Sequence, residues 1–177
     1  MPTPVLETSP FSELIDFPFT ADDRDPAADA LVIAARTTAL LAAVADDNWD
    51  RPVSESAVPG APPWTLRDHV GHLADWNDEA SRYIQPLLDG TGGLPADDDY
   101  DGGDFDGWNE RRRPGYAQHP PAELRTWLAA SADRLLGLAR RLPPAVAATP
   151  AVHEWVWHNL TSHPVEHLAP AEAIDRP

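Results

Sequence analysis

The chain has 177 residues with 13 basic and 29 acidic side chains, which give a formal net charge of −16. This length suits one domain with a sizeable core, and the negative charge argues against nucleic acid or an anionic membrane as a partner, because both attract clustered cations. The sequence has no cysteine and all its basic residues are arginines, which excludes disulfides, thiolate metal sites and lysine or cysteine nucleophiles.

Residues 1–24 are rich in proline and carry apolar side chains among polar ones. We expect an ordered N-terminal arm, with a loosely attached extension as the alternative, because several of these side chains can pack on a folded body; they are Phe11, Leu14, Ile15, Phe17 and Phe19. The start of the chain lacks the basic and apolar regions of a signal peptide. No stretch reaches the roughly 20 apolar residues of a membrane span, so the expected location is the cytoplasm.

A first helix is predicted to begin at Asp25 and Pro26. Aspartate caps free backbone amides, and proline suits the first helical position. The helix is expected to extend over residues 27–45 and to end at Asp46. At helical spacing, the face predicted to be buried consists of Leu31, Val32, Ala35, Ala39 and Ala42.

The second helix has a clear start signal. Thr65 with Asp68 three residues later forms a variant of the capping box. An apolar stripe then continues at helical spacing to about Leu88, and its members are Leu66, Val70, Leu73, Ala80, Ile84 and Leu87. His72 lies beside this stripe, so we expect it near the core boundary.

Residues 89–119 are predicted to form a long loop. The stretch from Asp97 to Asp106 is strongly acidic, and a solvated loop is preferred over a calcium site because the glutamate and glycine positions of an EF-hand are absent. The segment from Phe105 to Arg111 is aromatic and polar, and we expect it to pack against the body.

Two further helices are predicted, over residues 121–142 and 151–174. The first begins at Pro120-Pro121, and its leucines from Leu124 to Leu142 recur in steps of three and four. The second contains Trp155, Leu160 and Leu168 among several histidines. Four helical segments without a convincing strand predict an all-α bundle, with the arm at residues 1–24 and the bundle at 25–177.

His163 and His167 are four residues apart, so a continuous helix would present both rings on one face. Two imidazoles at this spacing often hold a metal, and His72 is the natural third ligand. Histidines without a metal are the alternative. Pro164 follows His163 directly, so the helix must either kink there or restart at the proline with His163 as the flanking residue.

The assembled pattern resembles the DinB-like superfamily of metal-binding four-helix bundles. The resemblance is to the branch with mycothiol-dependent maleylpyruvate isomerase, small-thiol S-transferases and ClbS/DfsB-type proteins. It is carried by residues 64–76 (WTLRDHVGHLADW), by residues 159–168 (NLTSHPVEHL) and by Trp108-Asn109-Glu110. It implies an up-down-down-up bundle in which His72, His163 and His167 bind the metal, with His69 outside this set and Pro164 as a departure from the usual pattern.

The resemblance also implies the chemistry. The metal would be zinc, with nickel or iron as alternatives, and mycothiol or a similar thiol would be the cosubstrate. The pocket would lie between the second and fourth helices under the 89–119 segment. The candidates for binding the small-molecule substrate are Trp76, Trp108, Asn109, Arg111 and Trp157. Glu79 and Glu166 are the candidates for proton transfer, with Asp75 as a further carboxylate, and a homodimer is possible.

Three functions follow as hypotheses. The first is a metal-dependent transferase or isomerase that uses a low-molecular-weight thiol on a small electrophile. The second is a ClbS/DfsB-type hydrolase or self-resistance protein that uses no thiol. A biosynthetic role in a specialised pathway is an alternative that fits any of the hypotheses. The third is a metal-free binding or dimerising bundle.

Overall fold

The computed structural model describes residues 25–94 and 103–175. The predicted N-terminal arm and the acidic residues Asp97–Asp101 lie outside the described residues. Within them the chain is mostly helical, which confirms the predicted all-α bundle.

Helix α1 (Pro26–Ala43) begins as predicted, because Asp25 accepts a hydrogen bond from the Ala27 amide at 3.0 Å. The predicted buried face is wrong. Leu31 and Val32 are 49% and 40% exposed, and the buried side chains are Asp29, Ala30, Ile33, Thr37, Leu40 and Leu41. The helix is so rich in alanine that small apolar side chains do not define its buried face.

A short two-stranded ribbon occupies part of the predicted loop after α1. A 3-10 turn (Asp46–Asn48) leads to β1 (Pro52–Ser54), which pairs antiparallel with β2 (Trp64–Thr65). The ribbon brings Ser54 and Trp64 to the start of the next helix. Both residues reach the site described below.

Helix α2 (Leu66–Leu88) has the predicted capping box, with Thr65 and Asp68 each bonding the other's backbone amide. It packs against α4 (Pro121–Ala139) through two apolar clusters. One cluster includes Leu73 and Leu128, and the other includes Ile84 and Leu135. Between the two clusters along these helices lie buried polar residues, where Asn77 donates to Ser131 Oγ at 3.4 Å.

The predicted loop at residues 89–119 is wrong over its second part, because residues Phe105–Tyr116 form helix α3. Asp104 caps this helix by accepting from the Gly107 amide at 3.0 Å. The helix is polar and contains Gly107 and Pro114, so its own sequence favours helix weakly. Contacts with α2 hold it in place, as described below.

The predicted final helix is divided into several pieces. Two short helices, α5 (Pro144–Ala147) and α6 (Pro150–Val152), precede a π-helical turn (His153–His158). Helix α7 (Ser162–Leu168) follows, and a 3-10 segment (Ala169–Asp175) ends the described chain.

Pro164 does not separate the two histidines. Helix α7 begins at Ser162, with Thr161 as the flanking residue, so Pro164 is its third residue. Amides in the first turn of a helix have no partner within that helix, so proline costs no hydrogen bond there. His163 and His167 therefore belong to one continuous helix.

Helix α1 has the length and composition to cross a membrane, with a mean hydropathy of 1.3. A core helix of a soluble protein meets the same criteria. In this structure α1 contributes Ile33, Leu40 and Leu41 to an apolar cluster, and 33% of the helix is buried.

Candidate metal centre

Three histidines converge at the middle of the bundle. His72 from α2 meets His163 and His167 from α7, and one ring nitrogen from each lies within 4.8 Å of the other two. His72 Nε2 and His163 Nε2 are 3.0 Å apart. Two imidazole nitrogens bound to one tetrahedral ion at about 2.0–2.1 Å stand about 3.3 Å apart, so the two nitrogens lie close to the separation of two ligands of one metal.

The rings open into a cavity of about 360 Å³. Trp76 and Asn109 form part of its wall, together with Phe105 and Trp155. Two carboxylates, Glu154 and Glu166, are the acidic groups in the wall, and both side chains are exposed. The cavity therefore combines an apolar wall with titratable groups, as small-molecule sites commonly do.

His69 extends the cluster on one side. Its Nδ1 lies 2.9 Å from His167 Nδ1, and its Nε2 lies 2.9 Å from Ser54 Oγ on β1. His69 is 4% exposed. A continuous chain of hydrogen bonds thus connects the ribbon to one of the three converging histidines.

Trp64 covers the histidines from the ribbon side. Its ring lies 5.2 Å from those of both His69 and His72. Glu110 of α3 fixes the indole by accepting from Trp64 Nε1 at 2.7 Å, and the same oxygen accepts from Ser56. Arg113 completes this clamp by pairing with Glu110 at 3.3 Å.

A second clamp holds α3 against α2. Arg112 Nε donates to the buried Asp75 at 2.6 Å, and the Tyr116 hydroxyl donates to the same carboxylate at 2.9 Å. Burial and the adjacent carboxylate raise the pKa of Tyr116, so the phenol remains a donor. Gly71 permits this contact, because a Cβ there would lie 2.4 Å from the Tyr116 ring.

The clamps position the cavity wall contributed by α3. Trp108 packs on Trp76 with ring centres 4.7 Å apart, and Arg112 lies over the Trp108 ring. Asn109 accepts from Trp76 Nε1 at 3.0 Å. Three consecutive residues of α3 thus have different roles. Trp108 packs on Trp76, Asn109 lines the cavity, and Glu110 fixes Trp64.

The environment keeps the histidines neutral. Burial lowers the pKa of His69 to about 3, with help from His167 and Arg113. Burial and the proximity of His158 lower the pKa of His167 to about 4. Burial also holds the pKa values of His72 and His163 well below the usual range. Neutral imidazoles are the form that binds metal ions.

Of the residues predicted for substrate or proton transfer, Trp76, Asn109 and Glu166 line the cavity. The other five are not among its lining residues in the described part of the chain. Glu79 pairs with Arg82 at 2.6 Å, and Arg111 pairs with Asp104 at 3.2 Å. Trp157 is buried in an apolar cluster.

Trp108 supports the wall through Trp76, and Asp75 serves in the α3 clamp.

The sequence does not predict several residues of the cavity, namely Phe105, Glu154, Trp155, His158 and Asn159. The last four lie in the segment predicted as one helix over residues 151–174, interrupted at most by a kink or restart at Pro164. The π-helical turn and the break at Thr161 change the rotational phase of the side chains along this segment. The residues that face the cavity therefore could not be assigned from a single helical period.

The donor set fits a divalent metal. Imidazole suits zinc, nickel and iron, and three ligands leave coordination positions for water or substrate. The Nδ1 atoms of His72 and His163 are buried without a hydrogen-bond partner among the described residues. These rings are therefore free to take the tautomer that presents Nε2 to an ion.

A family model described as the mycothiol maleylpyruvate isomerase N-terminal domain matches residues 30–165. No curated protein and no solved structure matched the chain. The family match includes His72 and His163, and His167 lies two residues beyond its end. Because it covers more than half of the chain, the chain belongs to this DinB-like family, as the sequence motifs predicted.

Proposed function

We propose that this chain is a metal-dependent enzyme that uses a low-molecular-weight thiol, with mycothiol as the first candidate, to transform a small electrophile by transfer or isomerisation. His72, His163 and His167 hold the metal. The observation that carries the proposal is the convergence of these three side chains within 4.8 Å at a cavity. Membership of the family supports the choice of thiol.

A divalent metal at this site supplies a Lewis acid that favours the ionised form of a bound thiol. The chain itself has no cysteine, so the sulfur must come from a cosubstrate. The three neutral imidazoles add no negative charge to the ion. An ion held by His72, His163 and His167 would therefore keep its positive charge for an added thiol.

The cavity wall holds the organic parts of the reactants. Trp76, Phe105 and Trp155 offer flat apolar surfaces that exclude water around the reacting atoms. The Asn109 amide is fixed by Trp76 and can orient a polar group. Glu166, three residues after His163 and directly before His167, accepts the proton that a thiol releases.

The experiment uses the full chain prepared without an affinity tag. Bound metal is measured by elemental analysis, and the apo protein is then loaded with zinc, nickel or iron. Thiolate formation by added mycothiol is followed by ultraviolet absorbance, and consumption of maleylpyruvate or a simple aryl halide by chromatography. We expect thiolate formation and turnover that require both metal and thiol.

Two variants provide the comparison. Replacing His163 with alanine should weaken metal binding and lower turnover together. Replacing His153, an exposed histidine ten residues earlier in the chain, should change neither. Turnover without thiol would favour a hydrolase, and a protein that neither retains nor takes up metal would favour a metal-free binding bundle.

A further inference from the structure

We propose that His69 is a positioning residue which, together with Ser54, sets the tautomer of His167 so that its Nε2 lone pair is free for the metal. This inference rests on the proposed metal site. His69 itself does not bind the metal. The group of converging nitrogens contains His72, His163 and His167, and His69 meets this group through its hydrogen bond to His167.

The number of hydrogens on the rings of His69 and His167 limits how the two rings can bond. A contact of 2.9 Å between His69 Nδ1 and His167 Nδ1 needs one hydrogen between the two nitrogens. His167 must be a neutral ring to bind a metal. Each neutral ring carries one N–H and one lone pair, so the direction of this hydrogen bond decides which nitrogen of His167 has a lone pair.

Two directions are possible. In the first, His69 Nε2–H donates to Ser54 Oγ, and His69 Nδ1 accepts from His167 Nδ1–H. The Nε2 atom of His167 then keeps its lone pair. In the second, the Ser54 hydroxyl donates to His69 Nε2, and His69 Nδ1–H donates to His167 Nδ1. The neutral ring of His167 then carries its own hydrogen on Nε2. The second direction leaves His167 no free lone pair for a metal. The first is therefore the arrangement compatible with a metal.

His167 differs in this respect from the other two proposed ligands. The Nδ1 atoms of His72 and His163 have no hydrogen-bond partner among the described residues. The protein therefore holds His167 from behind through side chains from α2 and β1, whereas the other two rings have no such partner behind them and meet each other through Nε2 at 3.0 Å. Partners behind a metal-binding histidine typically change metal affinity by about 10–100-fold.

Three variants of the full chain test this role. His69→Leu removes the acceptor, whereas His69→Asn keeps an oxygen near the position of Nδ1. Ser54→Ala removes the last partner in the chain of hydrogen bonds. The His153→Leu variant is the matched control, because it replaces an exposed histidine by the same residue. Circular dichroism verifies that each variant is folded.

The first measurement is the affinity for Co²⁺ and Zn²⁺, by competition with a chromogenic chelator. We expect His69→Leu to weaken binding by about 10–100-fold, and His69→Asn to restore most of it. Ser54→Ala alone should weaken metal binding. When it is combined with His69→Asn in a double variant, it should have no further effect on metal affinity. Unchanged affinity in His69→Leu would overturn the proposal.

The visible spectrum of bound Co²⁺ distinguishes positioning from ligation. If His69 is a positioning residue, the spectrum of His69→Leu at saturating metal keeps the wild-type coordination. A spectrum that shows the loss of a nitrogen ligand would overturn the proposal by making His69 a ligand.

The second measurement needs no metal. Long-range ¹H–¹⁵N spectra of the apo protein report the tautomer of His167, and we expect hydrogen on Nδ1 in the wild type and a shift toward the other tautomer in His69→Leu. Hydrogen on Nε2 in the wild type would contradict the proposal. If the wild type bound no metal, the proposed function would fail, while these spectra would still decide the direction of the hydrogen bonds.

Discussion

Two cavities of this bundle differ in size and in chemistry. The histidine cavity has a volume of about 360 Å³ and holds the converging rings. A groove between α1 and α4 is larger, about 510 Å³, and is lined mainly by apolar side chains such as Ile33, Leu41, Leu128 and Leu136. Asn159 lines both.

The comparison shows that volume and chemistry are separate properties. The groove offers space, but its wall supplies few groups that can bind an ion or move a proton. The histidine cavity offers less space and concentrates buried neutral imidazoles, two carboxylates and a fixed amide. A site is recognised by its reactive groups, so the smaller cavity is assigned the metal chemistry.

The largest expected effect separates the two cavities directly. His163→Ala should lower zinc affinity by about 3–4 kcal/mol, since a four-ligand zinc site supplies about 10–16 kcal/mol in total. Leu136→Ala, in the groove, should lower the free energy of unfolding by about 2–5 kcal/mol and leave zinc affinity unchanged. Chelator competition measures the zinc affinity, and urea unfolding measures the free energy of unfolding. Equal zinc affinities for the two variants would contradict the assignment of the metal site to the histidine cavity.

A second test uses pH, because the histidine cavity contains groups that resist protonation. The pKa of His69 is about 3 in the folded protein against 6.5 as the reference value. The unfolded chain therefore binds this proton first, and stability falls as the pH drops from about 6.5 towards 3. Between pH 7 and pH 5 this one residue should cost the metal-free protein about 2 kcal/mol.

Urea unfolding at pH 7, 6 and 5, followed by tryptophan fluorescence, measures this loss. His69→Asn cannot take up the proton, so its stability should depend less on pH by about the same 2 kcal/mol. Replacing the exposed His153 with alanine should leave the wild-type slope. A wild-type stability that is constant between pH 7 and pH 5 would contradict the buried neutral state.

Much of the histidine cavity could be predicted from the sequence because its signals are local. Thr65 and Asp68 mark the start of α2 within four residues, and His163 and His167 share a face through one helical turn. The restart of the helix at Ser162, which makes Pro164 harmless, depends on the break at Thr161. No local rule gives the position of that break.

The remaining features depend on contacts between residues far apart in the chain. Helix α3 has weak intrinsic propensity and is held by Asp75, 37 positions before Arg112. The partnership of His69 with His167 spans 98 positions. On α1 the alanine-rich pattern led to the wrong face, because burial there is decided by packing on α4. A single helical period contains none of this information.

A third test concerns the clamp that attaches α3, since the wall of the histidine cavity depends on it and the groove does not. Gly71→Ala places a methyl group against the Tyr116 ring, and overpacking of this kind costs about 1–3 kcal/mol of stability. Gly137→Ala is the matched control. An added Cβ there meets nothing within 4 Å, so this variant should gain about 0.5–1 kcal/mol.

Thermal and urea unfolding measure both glycine variants. Gly71→Ala should also alter the fluorescence of the Trp76–Trp108 pair, because α3 carries Trp108. If the two glycine variants had the same stability, the contact between Gly71 and Tyr116 would not hold α3.

The smallest effect is expected at the rim of the groove. Leu31 is 49% exposed, so Leu31→Ser should change the free energy of unfolding by no more than about 0.5 kcal/mol. Ile33, two positions along the same helix, is 1% exposed, and Ile33→Ala should cost about 2–5 kcal/mol. Urea unfolding of both variants, with size-exclusion chromatography of Leu31→Ser, tests the contrast. A loss at Leu31 as large as that at Ile33 would mean that Leu31 is covered in solution, and the groove would then be a contact surface.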